Sequence, residues 1–109
     1  MIKVLFTNNS FDEQEIQLLK DNNIDIVPGG ADLCEDDLIE ALKDCDGYII
    51  GGTDRATQRV IEATNLKTII FYGAGYQDYI HLDSANKKGI EVANTPKANA
   101  LQLQNILSH

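Results

Sequence analysis

The sequence predicts an α/β fold, in which helices cover both faces of a parallel sheet. Short runs rich in β-branched residues alternate with amphipathic helical segments five times along the chain. Such an alternation gives parallel strands joined by right-handed helical crossovers. The chain has 109 residues, a length that suits one domain. These observations predict that residues 1–109 form a single flavodoxin-like domain, a doubly wound five-stranded sheet of order 2-1-3-4-5 in three α/β/α layers.

The first strand is predicted at Ile2–Phe6, and Ser10 and Glu13 have the capping-box spacing that opens a helix. The apolar side of that helix is predicted to comprise Phe11, Ile16, Leu18 and Leu19. A second strand is predicted at Ile24–Val27, and Asp32 with Glu35 repeats the capping-box spacing. The helix that follows is expected to bury Leu38, Ile39 and Leu42.

The third strand, Tyr48–Ile50, follows a predicted turn at Asp46-Gly47, and Asp54 is predicted to cap the next helix. The apolar residues assigned to that helix are Ala56, Val60, Ile61 and Ala63. The fourth strand is Thr68–Tyr72, and a short helix from Leu82 to Lys88 stops at Gly89.

The fifth strand is predicted at Ile90–Ala93. After it, Thr95-Pro96 has the pattern of an N-cap followed by proline at the first helical position. The apolar residues of this last predicted helix are Leu101, Leu103, Ile106 and Leu107. Leu103, Ile106 and Leu107 form one stripe, because residues three and four apart share a helix face. An uncovered apolar stripe favours self-association, so we expect a homodimer unless a further domain covers it.

The net charge of −8 argues against nucleic acid and anionic membrane surfaces as partners. No apolar run approaches the length of a membrane span, and the N-terminus has no signal-peptide pattern. The composition therefore predicts a cytoplasmic protein. Cys34 and Cys45 match no zinc spacing and are expected to be buried free thiols, so no metal site is predicted.

The loop Gly73-Ala74-Gly75 directly follows the fourth strand. In an open α/β sheet, ligands bind outside the carboxyl ends of the strands. Glycine leaves backbone amides accessible to a ligand. The loop is therefore a candidate cradle for an anion or carboxylate. The alternative is a tight strand-exit loop without a ligand.

Other uses of this architecture fit the sequence less well. A phospho-acceptor domain needs acids after the first and third strands, where this chain has Asn8, Asn9 and Gly51. A flavin site would lack a glycine in its phosphate loop. A dinucleotide fingerprint requires a third glycine where Asp78 stands. His81, at a helix start, is interpreted as a surface or capping residue rather than a general base.

From Asp46 onward, the chain resembles the D-isomer-specific 2-hydroxyacid dehydrogenases, a family that includes phosphoglycerate dehydrogenases. The residues that carry the resemblance are Asp46–Thr53, Val60–Ala63, Leu66–Ile70, Gly73–Gly75, Asp78–Ala85, Lys88–Ile90 and Asn94–Pro96. The resemblance implies the substrate-binding domain of such an enzyme, with the substrate carboxylate on the amides of Gly73, Ala74 and Gly75. Departures from the family pattern at Tyr72, His81 and Lys97 leave the identity of the acid open.

In that family, the NAD fingerprint and the acid–base residues belong to a second, nicotinamide-binding domain, and neither occurs in residues 1–109. The resemblance therefore implies a substrate-binding domain for a small 2-hydroxy or 2-oxo acid that is inactive alone, has no catalytic residues of its own and does not bind NAD. The partner would be a nicotinamide-binding domain or a second copy. The alternative is a non-enzymatic ligand-binding or interaction module that kept the flavodoxin-like fold.

Overall fold

The architecture is that of a five-stranded parallel sheet between two helical layers, in a computed structural model that describes residues 2–7, 11–29, 34–51, 54–72 and 78–95. The strands are β1 (Ile2–Thr7), β2 (Ile24–Gly29), β3 (Gly47–Ile50), β4 (Thr68–Tyr72) and β5 (Glu91–Thr95). The helices are α1 (Glu13–Asp21), α2 (Glu35–Leu42), α3 (Gln58–Ala63) and α4 (Leu82–Lys87). The strand order β2-β1-β3-β4-β5 confirms the predicted fold class.

Each strand sends alternate side chains to opposite faces of the sheet, and both faces are apolar. One buried cluster joins β-strand residues such as Leu5, Tyr48 and Ile69 to α2, α3 and α4. The other cluster joins Phe6 and Ile70, among others, to α1. The sheet is therefore a central layer whose carboxyl edge presents the loops that follow each strand.

Three helix starts differ from the predictions. Asp12, not Ser10, is the N-cap of α1, and its carboxylate accepts a hydrogen bond of 2.8 Å from the Glu15 N–H. Cys34 is the N-cap of α2 and makes no side-chain cap bond. Thr57, not Asp54, caps α3. In each case a residue nearer to the first helical turn occupies the cap position, and at α1 and α3 its side chain accepts a hydrogen bond from a free N–H group of that turn.

Several predictions of burial and of helix membership also need correction. Leu18 is 42% exposed, because it faces away from the sheet while Leu19 is fully buried. Cys34 is exposed, whereas Cys45 is buried as expected. Ala56 precedes α3 and pairs with Ile80 in an isolated parallel bridge. Ala63, at the end of α3, is exposed.

The stop of α4 agrees with its prediction. Gly89 adopts φ +70°, a left-handed conformation that ends a helix at little cost only for glycine. The helix predicted from Pro96, with its Leu103, Ile106 and Leu107 stripe, lies outside the described residues. Self-association through that stripe therefore stays a prediction.

Candidate functional site

The carboxyl edge of β4 is the centre of the candidate site. β4 lies inside the sheet, between β3 and β5, and its last residue, Tyr72, is in register with Thr95 of β5. The predicted carboxylate cradle, Gly73-Ala74-Gly75, follows Tyr72 in the sequence and lies outside the described residues. Asp78 begins the next described segment, which leads into α4.

A buried polar network joins the carboxyl ends of β1 and β3. The Thr7 hydroxyl donates to Asp54 Oδ2 at 3.0 Å and accepts a hydrogen bond of 3.0 Å from the Gly51 N–H. The Tyr48 hydroxyl donates to the same Asp54 oxygen. Asp54 is only 4% exposed, and within the described part of the chain its Oδ1 has no hydrogen-bond partner. Asp54 therefore ties β3 to the start of the following segment instead of capping α3.

Sequence reasoning missed this network. A tyrosine inside a strand as apolar as Tyr48–Ile50 is a signal that could have indicated it, because a buried phenol requires a hydrogen-bond partner. The partner itself was hidden, since Thr7 and Asp54 are 47 positions apart and meet only through strand pairing.

Because Tyr48 has a buried phenol, we expect the protein to lose stability at alkaline pH. Burial first, then the negative charge of Asp54 and the hydrogen bond to it, raise the pKa of Tyr48 far above its ordinary value. In the unfolded chain the phenol ionises near pH ~10. Above that pH the unfolded state binds fewer protons than the folded state. The free energy of unfolding should therefore fall by up to about 1.4 kcal/mol per pH unit.

Urea unfolding between pH ~9 and ~11 measures this slope. The Tyr48→Phe variant is the control, because it lacks the titrating group but keeps the buried Cys45 thiol, whose pKa burial also raises. We expect a shallower slope in the variant. Equal slopes in both proteins would contradict the assignment to Tyr48.

A cleft of about 220 Å³ opens between the segments that follow β3 and β4. Its lining residues are Arg55, Ala56, Thr57, Gln58, Asp78, Tyr79, Ile80 and His81, which define what we call the Arg55 cleft. Two backbone hydrogen bonds fix its walls: Ala56 N–H to the Tyr79 carbonyl at 2.8 Å, and His81 N–H to the Ala56 carbonyl at 2.9 Å. The cleft is therefore held by paired backbone rather than by side chains alone.

Aromatic stacking positions the cation of this cleft. The Tyr79 ring stacks on Phe71 of β4 with a centroid separation of 4.6 Å. The Arg55 guanidinium carbon lies 5.5 Å from the Tyr79 ring centroid, a cation–π distance. The end of β4 thus supports Tyr79, and Tyr79 supports Arg55.

His81 caps α4, in agreement with the sequence-based interpretation. Its Nδ1 accepts a hydrogen bond of 3.3 Å from the Ser84 N–H and lies 2.8 Å from the Ser84 hydroxyl. A ring nitrogen that accepts carries no proton, so the neutral ring has its proton on Nε2. Both His81 and Asp78 are exposed residues of the cleft.

Among the described residues near the ends of β1 and β3, one acid disfavours the phosphates of a dinucleotide. In a doubly wound sheet of this order, phosphates bind in the crevice between β1 and β3. Here that crevice contains the buried Asp54 carboxylate, and the Thr7 hydroxyl is already engaged with it. A buried carboxylate disfavours a pyrophosphate by like-charge repulsion.

The described residues provide neither a metal site nor a membrane-spanning helix. No group of three or more His, Cys, Asp or Glu side chains there could hold a metal ion. No helix in the same part of the chain has the length and apolar character that crossing a membrane requires.

Comparison with known proteins gives consistent matches. Residues 4–103 match the family model for "D-isomer specific 2-hydroxyacid dehydrogenase, catalytic domain". The D-3-phosphoglycerate dehydrogenase of Sus scrofa is 29% identical over 92% of this chain. The hydroxypyruvate reductase of Thermotoga maritima is 34% identical over 85% of it. The chain spans only 19% and 30% of the lengths of these two relatives, respectively.

A solved structure of a similar protein has the same fold. The NAD⁺-bound 3-phosphoglycerate dehydrogenase of Entamoeba histolytica superimposes with a TM-score of 0.73 and 31% identity. That match covers 87% of this chain and 33% of the Entamoeba chain.

Proposed function

Since this chain belongs to the D-isomer specific 2-hydroxyacid dehydrogenase family, we propose that it binds the carboxylate of a small 2-hydroxy or 2-oxo acid at Gly73, Ala74 and Gly75. The chain is a substrate-binding domain of that dehydrogenase type. In the proposed role it orients the acid, while NAD and an acid–base group are supplied by residues other than 1–109. Hydride transfer requires both of these.

The position of β4 is the observation that carries the proposal. β4 is an interior strand whose carboxyl end runs directly into Gly73-Ala74-Gly75. Ligands of open parallel sheets bind at this edge, and glycine amides can approach a carboxylate closely. The buried Asp54 carboxylate beside the ends of β1 and β3 disfavours a pyrophosphate at that position, which supports the proposal that this chain binds the substrate.

Titration with pyruvate, followed by amide chemical shifts, tests this proposal. A carboxylate accepts hydrogen bonds from backbone N–H groups, so the shifts should cluster at Gly73 to Tyr76 and saturate. Because NAD and the acid–base group are not part of the site tested, we expect a dissociation constant of about 1 mM, equivalent to roughly −4 kcal/mol.

Pyruvamide is the matched control, because it has the size of pyruvate without the negative charge. It should cause no saturable shift at the loop. Pyruvate shifts confined to a different loop, or equal effects of the two compounds, would overturn the proposal.

A further inference from the structure

We propose that an apolar half of the central sheet is the docking surface for the chain's own C-terminal segment, residues 96–109. The surface consists of Ile49 of β3, Ile70 of β4 and Ala93 of β5, and we call it the Ile70 face. It lies on a face of the sheet rather than at its carboxyl edge, so this inference does not depend on the proposed function.

The side chains of the Ile70 face form one row across three strands. Ile49 is in register with Ile70, and Ile70 is in register with Ala93. Phe6 of β1 extends the row, because it is in register with Ile49. All four side chains take part in the apolar cluster that contains α1, which places them on one side of the sheet. The row is therefore one continuous apolar surface.

The helix α1 is too narrow to cover the whole row. Among the described helices, only α1 contributes residues to this cluster, and it packs mainly against the edge strand β2. Phe11, which precedes α1, packs edge-on against Phe6 of β1. A helix with its side chains is about 10–12 Å wide, and neighbouring strands lie about 4.8 Å apart. One helix thus covers about two strands, and β4 and β5 lie beyond the reach of α1.

The Ile70 face is nevertheless shielded from water. Ile49 and Ile70 are each only 1% exposed, and Ala93, on the edge strand β5, is half-buried. Water is excluded from these side chains within one chain, so the residues that cover them belong to the same chain.

Residues 96–109 have the length and the starting point that this cover requires. They directly follow β5, whose Ala93 belongs to the Ile70 face. In helical form they would extend about 21 Å, which exceeds the roughly 10 Å between β3 and β5. The other stretches outside the described residues, of which 73–77 is the longest, are too short for two helical turns.

The sequence of this segment supplies a complementary surface. Leu103, Ile106 and Leu107 share one side of the helix predicted from Pro96, and we call them the C-terminal stripe. Packing the stripe on the Ile70 face removes both apolar surfaces from water. A second copy, which the sequence led us to expect, would have to lose translational and rotational freedom to cover the same stripe, whereas a segment of the same chain does not.

Methyl NOEs in the full chain test the docking directly. In a uniformly ¹³C-labelled sample, we expect NOEs between the Ile70 δ1 methyl and methyl groups of the C-terminal stripe. A mixture of labelled and unlabelled chains, recorded with an isotope filter, shows only contacts between two copies and should lack these NOEs. Filtered NOEs between the same groups would overturn the proposal in favour of a second copy, and their absence from both spectra would overturn docking of the segment altogether.

Ile106→Asp and Leu101→Asp form a matched pair of variants. Both add the same charge to the same segment, but Leu101 lies on the side of the predicted helix opposite to the C-terminal stripe. We expect Ile106→Asp to raise the equilibrium constant of unfolding about tenfold or more, and Leu101→Asp to change it less than about twofold. Ile106→Asp should also shift the Ile70 methyl signal and spare that of Ile69, which faces the other side of the sheet.

Equal effects of the two variants on unfolding, or an unshifted Ile70 signal in Ile106→Asp, would contradict the docking. If Ile106→Asp does not fold, the NOEs of the unmodified chain still decide the question.

Discussion

Tyr48→Phe is expected to lower the free energy of unfolding by about 1.5–3 kcal/mol, the range for losing a hydrogen bond to a charged group. The phenol oxygen is lost, and the Asp54 carboxylate stays buried with the Thr7 hydroxyl as its remaining described donor. Because Asp54 is only 4% exposed, water cannot replace the missing donor without local opening. Urea or guanidinium unfolding at neutral pH measures the loss.

Tyr79→Phe provides the comparison, since it deletes the same atom from a half-buried tyrosine that keeps its stacking on Phe71. We expect a change within about 0.5 kcal/mol, as for most substitutions away from buried polar contacts. A second check is the double variant Tyr48→Phe/Asp54→Leu. Replacing both partners with apolar groups should cost less than the sum of the single changes. Equal stabilities of Tyr48→Phe and Tyr79→Phe would refute the importance of the network.

Gly51→Ala is expected to destabilise the protein by about 2–3 kcal/mol, in the range for overpacking a close contact. A Cβ at Gly51 would lie 2.3 Å from the Thr7 carbonyl oxygen and 2.8 Å from Phe6 Cε1. The first of these is backbone and cannot rotate away. The ends of β1 and β3 would have to separate. This would also lengthen the hydrogen bond that the Gly51 N–H donates to the Thr7 hydroxyl.

Gly47→Ala is the control for this change, because it adds the same methyl group at the start of β3, the strand that Gly51 directly follows. Its Cβ would meet Val4 Cγ2 at 3.1 Å, a side-chain contact that relaxes with a small shift. We expect Gly47→Ala to lower the free energy of unfolding by about half as much as Gly51→Ala, or less. Denaturant unfolding of both variants compares them directly, and the reverse order of stability would be inconsistent with the close approach of β1 and β3.

The strand and helix order could be predicted from sequence because both signals are local. Apolar runs such as Thr68–Tyr72 mark buried strands, and the turn at Gly89 marks the end of α4. Alternation of the two elements then leaves few topologies. The candidate cradle at Gly73, Ala74 and Gly75 was found in the same way, from a strand that ends in glycines, and its ligand stays a proposal.

What the sequence determined by itself is the order of elements, the parallel sheet and the family resemblance, since each depends on residues close together in the chain. The tertiary structure alone decided the role of Asp54, because its partners Thr7 and Tyr48 come from two strands that pair across the sheet. It also decided the surroundings of Arg55, whose platform of Tyr79 and Phe71 forms only when the segments after β3 and β4 pair at Ala56 and Ile80. Such contacts join residues distant in sequence, and no local pattern encodes them.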